Sequence, residues 1–156
     1  MQLALLGADV IKVEQPVIGD STRGLMSEGQ DESMSPSFMG MNLNKKSLTL
    51  NLKKPEAINI ISKLTPDIDV IVENFKGGTM HRMGLDYDSL RMIKPDLIYC
   101  SVTGYGQTGA KVADAAYDGA IQASSGMMSQ NGHPETGPTR TGYMPVDMST
   151  ALNTAF

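Results

Sequence analysis

The stretch DVIVENFKGGTMHRMGLDYDSLRMIKPDLIYCSV, residues 69–102, decides the fold. Its two ends, 69–73 and 97–102, are short continuous apolar runs, the pattern of strands buried on both faces of a parallel sheet. Between them, residues 86–94 read as a helix started by Asp86 and stopped by Pro95. Strand, helix and strand in that order make a parallel unit, because parallel neighbours need a long crossover.

Working outward, ADVIKVE (8–14) reads as a further strand and SLTLNL (47–52) as strand-like. PEAINIISKL (55–64) has apolar residues at helical spacing, with Pro55 at its first turn. The predicted fold class is α/β, an open and mostly parallel sheet. Residues 15–46 form one long irregular stretch rich in Gly, Ser and Met, and a loop of that length is usually functional or covered by a partner. Met1 to Leu6 reads as the last turns of a helix stopped by Gly7, and the chain closes at Phe156 inside an apolar helical pattern, so the sequence reads as a piece of a larger protein.

At 156 residues the chain is long enough for one domain that buries roughly 70% of its unfolded surface. No apolar run reaches the ~20 residues needed to span a bilayer, which excludes a helical membrane protein. A net charge of -4 argues against nucleic-acid binding by bulk electrostatics. Cys100 stands alone and cannot form an internal disulfide, and the N-terminus lacks the basic region of a secretory signal, so a cytoplasmic location is expected.

Ligands of open parallel sheets bind at the carboxyl ends of strands, which directs attention to the segments after Glu73 and Val102. The first offers Asn74, Phe75, Lys76, Gly77 and Gly78: an amide, an aromatic face, a cation and two glycines that admit a ligand to the backbone. A plain turn explains it equally well. The second, Gly104 to Gly109, matches the dinucleotide fingerprint literally, but it lacks a helix starting within the glycines and an acidic strand end about 20 residues on. Lys45, Lys46, Lys53 and Lys54 flank the strand-like 47–52 run, either as a phosphate-binding patch or as a solvated strand edge. Arg82 extends such a patch or sits on the surface. His81 and His133 have no partner at metal-ligand spacing, and no GxSxG elbow exposes a serine, so neither a metal site nor a hydrolase triad is expected. Asp147 lies between a Gly/Pro-rich approach (137–146) and a helix-like run (148–156), where a carboxylate is either an N-cap or an activated nucleophile.

Read in order, LGADVIKVEQP (6–16), Gly19-Asp20 with Thr22-Arg23, NKKSLTLNLK (44–53), VENF (72–75), MGL with Tyr87 (83–87), KPDLIY (94–99), SVTGYGQ (101–107), AYD (116–118) and PTR…PVD (138–147) resemble the class III CoA-transferases. That group includes formyl-CoA transferase, the carnitine-related CoA-transferase and α-methylacyl-CoA racemase. Each motif alone is weak, whereas the ordered set is specific.

The resemblance implies that residues 1–156 are part of a Rossmann-like, CoA-binding large domain, truncated at both ends, from an interlocked homodimer. It places coenzyme A contacts on Leu50, Lys53, Asn74, Phe75 and Arg82, and the nucleophile on Asp147. Two basic positions depart from it, Gln15 and Ala115, leaving Lys45, Lys46 or Lys111 to meet the phosphates. The implied reaction moves CoA between an acyl-CoA and a free carboxylic acid through covalent aspartyl intermediates, in a dry site whose helix start keeps Asp147 ionised. The alternatives are a racemase or isomerase acting on an acyl-CoA, or a non-catalytic nucleotide-binding module. Racemases of the group carry a histidine where this chain has Tyr117, a poor base near neutrality.

Overall fold

In the computed structural model, which describes residues 1–25 and 34–156, the deciding stretch folds as two parallel strands joined by helical crossover. Strand β3 (Val70–Glu73) pairs in parallel with β4 (Ile98–Ser101), Val70 opposite Ile98 and Glu73 opposite Ser101. Helix α5 (Tyr87–Arg91) starts where the sequence predicts, with the Asp86 carboxylate accepting the Ser89 N–H at 3.2 Å. It stops at Arg91 because the N–H groups of Ile93 and Lys94 both turn back to the Leu90 carbonyl, at 2.9 and 3.0 Å, and Pro95 disfavours helical geometry at Lys94.

Before it, α4 (Thr79–Met83) is ended by Gly84 in the left-handed region, φ 69°, with Gly84 N–H on His81 O and Leu85 N–H on Met80 O. That reversal drives Leu85 inward beside Leu90 and Leu97, all almost fully buried, each contributing about 1.5–3 kcal/mol as an upper figure.

These elements belong to the second of two units into which the chain divides, Met1–Ile61 and Ser62–Phe156. The second unit also holds α6 (Asp118–Ser124), a short antiparallel pair β5 (Gly132–His133) and β6 (Gly137–Pro138), and α7 (Pro145–Ala155).

In the first unit, α1 (Gln2–Leu5) ends at Gly7, φ 101°, with Ala8 N–H bonded back to Leu3 O at 3.0 Å, which delays β1 to Val10–Glu14. Strand β2 (Lys45–Thr49) lies parallel to β1, Val10 opposite Lys45 and Glu14 opposite Thr49, so the strand sits two residues earlier than its apolar pattern predicts.

Within the stretch read as irregular, the structure places a 3-10 turn at Ser21–Gly24 and helix α2 (Pro36–Asn42); residues 26–33 lie outside the described residues. Helix α2 has an ordinary start signal. Ser35 Oγ accepts the Phe38 N–H at 3.1 Å and donates to Thr22 O at 2.6 Å, with Pro36 at the first helical position. Helix α3 spans Pro55–Leu64 as predicted. The parallel strands form two separate pairs, and the class is α/β.

Each pair ends in a buried glutamate. Glu14 accepts from Arg23 Nε at 2.9 Å and Nη2 at 3.0 Å, from Ser47 Oγ at 2.9 Å and from the Asp20 N–H at 3.1 Å. Arg23 in turn stacks over Phe38, 3.8 Å from the ring centroid. Glu73 accepts the Phe75 N–H at 2.7 Å and a bond from Ser101 Oγ.

The Arg23 hydrogen bond holds the Glu14 carboxyl at about 2, below its ordinary 4.5. A carboxyl depressed in the folded state contributes stability that is present above pH 4.5 and lost as pH falls toward 2. Glu14→Gln is therefore expected to lower stability at neutral pH and to flatten acid destabilisation in that window, measured by urea unfolding of the full-length protein at stepped pH. An unchanged acid slope would refute the assignment.

Candidate functional site

Asp147 sits in the first turn of α7, but not as its cap. The sequence predicts a helix from Met148; the helix starts at Pro145, whose fixed φ suits a first position, so Asp147 is its third residue. Met144 precedes the helix without a side-chain cap, and the cap comes from another element. Asp118, at the start of α6, accepts the N–H groups of Val146 at 2.9 Å and Asp147 at 3.2 Å on one carboxylate oxygen. Its other oxygen accepts from Gln122 Nε2, and Gln122 Oε1 accepts the Thr141 N–H at 3.0 Å and Thr141 Oγ1 at 3.2 Å. Asp118 is 6% exposed and Gln122 wholly buried.

The Asp147 carboxylate itself is uncommitted: among the described residues it accepts no hydrogen bond and forms no ion pair. Its pKa is raised, first by partial desolvation and then by the negative charge of Asp118. A helix start favours the ionised form, and desolvation together with the Asp118 charge opposes it. The Asp147 side chain is exposed in this chain.

The five expected coenzyme contacts divide between the units. Leu50 and Lys53 belong to the first: Leu50 is buried just past β2, its N–H on Glu14 O at 2.9 Å, and Lys53 is exposed in the turn before α3. Asn74, Phe75 and Arg82 belong to the second and are exposed. Asn74 Nδ2 donates to Val102 O at 2.7 Å, tying the loop after β3 to the end of β4, and Arg82 Nη2 donates to Thr79 Oγ1 at 2.9 Å.

Helix α7 faces that same strand end. A cavity of about 350 Å³ is lined by Cys100, Val102 and Thr103 on one side and by Thr150, Asn153 and Thr154 on the other. Asn74 and the helix carrying Asp147 thus meet at Val102. A second hollow, about 420 Å³, is lined by Glu73, Lys76, His81, Tyr99 and Gln107, and none of Asn74, Phe75 or Arg82 lines it.

Lys45 and Lys46 do not share one face. Lys45 and Lys46 are successive residues of β2 and point to opposite faces; Lys45 Nζ donates to Asn42 Oδ1 at 3.0 Å and Lys46 pairs with Asp9 at 2.6 Å. Lys111 lies over the Tyr105 ring, 5.1 Å from its centroid. Gly104 to Gly109 runs in bends and turns, and the next helix begins only at Asp118. Gly104 serves packing: a Cβ there would stand 1.9 Å from the Cβ of Ala116, so its bare backbone lets the segment entering Tyr117 and Asp118 lie against the end of β4.

Asp118 enters the sequence reading only within the AYD motif of the resemblance, and Gln122 does not enter it at all. The local cue was an acidic residue opening a short helix; the spacing of 19 to 29 residues to their partners has no periodic signature.

The model of CoA-transferase family III matches residues 1–156. The chain belongs to that family. It is 41% identical over 155 residues to the succinate--glutarate CoA-transferase of Agrobacterium fabrum, covering 96% of this chain and 39% of that protein. It is 44% identical to the human succinyl-CoA:glutarate CoA-transferase, covering 97% of this chain and 34% of that one. The crystal structure of a CAIB/BAIF family protein from Brucella suis superposes with a TM-score of 0.87 at 37% identity, over 98% of this chain and 42% of the other. The chain therefore spans well under half the length of these relatives. Among the described residues no helix is long and apolar enough to cross a membrane.

Gly104→Ala is expected to cost about 1–3 kcal/mol by overpacking, and Ala116→Gly in the same molecule should restore most of it. Urea unfolding midpoints of the single and double variants check this, and a single variant as stable as wild type would contradict the contact.

Proposed function

We propose that the full-length protein is an acyl-CoA:carboxylate CoA-transferase in which Asp147 is the covalent nucleophile. The observation that supports this most is the uncommitted carboxylate in the first turn of α7. Its backbone N–H is engaged by Asp118 while its own oxygens are free.

The Asp147 carboxylate attacks the thioester carbonyl of the acyl-CoA and the C–S bond breaks, giving an acyl-aspartyl anhydride and CoA thiolate. The thiolate then attacks the aspartyl carbonyl, releasing the donor carboxylate and leaving an aspartyl-CoA thioester. An incoming carboxylate reverses both steps, regenerating Asp147 and a new acyl-CoA. Carboxylates are weak nucleophiles in water, so the rest of the protein covers the site during turnover, and backbone N–H donors meet each oxyanion.

Leu50, Lys53, Asn74, Phe75 and Arg82 bind coenzyme A, in an interlocked homodimer working in the cytoplasm. The names of the curated relatives support a short dicarboxylate such as succinate or glutarate as donor or acceptor. Racemisation needs a base and an acid across the α-carbon. Tyr117, 77% exposed beside Asp118, is ill suited to that role.

In the full-length protein, Asp147→Ala should lower CoA exchange by ~10³-fold or more, while isothermal titration shows CoA still binding. Incubation with acyl-CoA and hydroxylamine should yield a hydroxamate on Asp147 by mass spectrometry. Exchange retained in Asp147→Ala would falsify the proposal.

A further inference from the structure

Asp118 does more than close a helix. Both of its carboxylate oxygens act only as acceptors, one from Gln122 and the other from the first turn of α7, and it is almost fully buried while doing so. Gln122 has no freedom to change its side of the exchange. Its Oε1 is already taken by the Thr141 N–H and hydroxyl, so its amide must present Nε2 to Asp118. The donors therefore converge on Asp118 from two sides: the loop before α7 donates to Gln122 and Gln122 to Asp118, while the first turn of α7 donates to Asp118 directly. The single Thr141 hydroxyl proton is shared between Gln122 Oε1 and Tyr143 O, the latter at 2.8 Å, which ties down the turn entering Pro145.

We propose that Asp118, locked by Gln122, is a positioning residue: it fixes the first turn of α7 and thereby where the Asp147 carboxylate stands. The proposal rests on Asp147 being the nucleophile only for its consequence in turnover; the positioning itself does not depend on it. Desolvation raises the Asp147 pKa first, and the negative charge of Asp118 raises it further. The other charged group against this helix start is Arg140, whose side chain lies over Gly119 and offsets part of the charge of Asp118. Among the described residues, Tyr117, Tyr143 and, on β4, Tyr99 and Cys100 are the remaining titratable side chains on the surrounding elements. α7 itself carries no other charged residue than Asp147.

The directionality of the network supplies the test. In D118N the new amide can accept from α7 or from Gln122 but not both, and it meets Gln122 donor against donor. In D118N/Q122E the same bonds re-form: the amide nitrogen donates to the new carboxylate, whose oxygens also accept from Thr141, and one negative charge is retained a helical turn away. Two readouts are taken on the full-length protein. One is kcat and KM for CoA exchange. The other is the pH dependence of Asp147 esterification by a diazoacetamide, followed by mass spectrometry, which requires the protonated carboxyl and reports its ionisation without turnover.

In Asp118→Ala, kcat should fall ~10²-fold, the order expected for a displacement of about 1 Å, with KM for the acyl-CoA essentially unchanged. D118N should move the labelling midpoint of Asp147 and the acid limb of kcat/KM to lower pH, because the neighbouring negative charge is gone. D118N/Q122E should recover most of the kcat lost in D118N, which a purely destabilising effect would not do. The proposal is overturned if the labelling midpoint is the same in D118N and wild type, or if a folded double variant is no better than D118N. A shifted midpoint without any Asp147 hydroxamate in wild type leaves the positioning intact and removes the nucleophile assignment. A hydroxamate in wild type with an unmoved midpoint and unmoved kcat does the reverse.

Discussion

Two parallel strands cannot be joined by a tight turn, and every other feature of this chain follows from how the ends of its parallel pairs are closed. The last carbonyls of β1 and β3 are taken by the N–H groups of Leu50 and Val102, one residue past the partner strands, at 2.9 Å each. Beyond that point the ladder stops, and in both pairs the side chain of the final strand residue, a glutamate, collects nearby donors: Glu14 takes the Asp20 N–H and Ser47, and Glu73 takes the Phe75 N–H and Ser101. A buried carboxylate is tolerated only when fully hydrogen-bonded. Glu14 meets that condition with Arg23, which is itself held against Phe38. The loops that leave these strand ends are thereby given fixed starting points, and the loop after β3 is the one carrying Asn74 and Phe75.

The same device recurs at the start of α7. Asp118 is a buried carboxylate closing an element end, this time the N-terminus of α7 instead of a strand. By taking the helix N–H groups it leaves the Asp147 side chain without local bonds to make. A carboxylate at the start of a helix ordinarily caps the helix and is stabilised by it. Here the two tasks are split between two aspartates. One is buried, with its pKa lowered by its hydrogen bonds against the opposing cost of burial; the other is exposed, with its pKa raised. Under the proposed function, one acid holds the helix and the other is left to react, a division set by their environments.

Much of this was legible in the residues. The β3–α5–β4 order, Asp86 as a helix start, Gly7 as a helix stop and the limits of α3 all come from local signals: β-branched runs, capping side chains and glycines at positive φ. Helix α2 carried an equally local signal in Ser35-Pro36 that was submerged in a polar, Met-rich stretch. Strand β2 was misplaced by two residues because its register is set by β1, a partner some 35 positions away, and not by its own alternation. Lys45 and Lys46 separate for a similar reason, since adjacent strand residues face opposite sides.

The sequence by itself determined the class of fold, the family, and the identity of the carboxylate that stands at the start of the last helix. These depend on residue types at short spacing, where backbone preference and side-chain chemistry act within a few positions. Only the tertiary structure decided that Asp118 and Gln122 hold that helix, that Gly104 makes room for Ala116, and that Asn74 and α7 converge on the end of β4. Those contacts join residues from different elements through single hydrogen bonds and close van der Waals approach, and nothing in a linear pattern encodes which of many such pairs will meet.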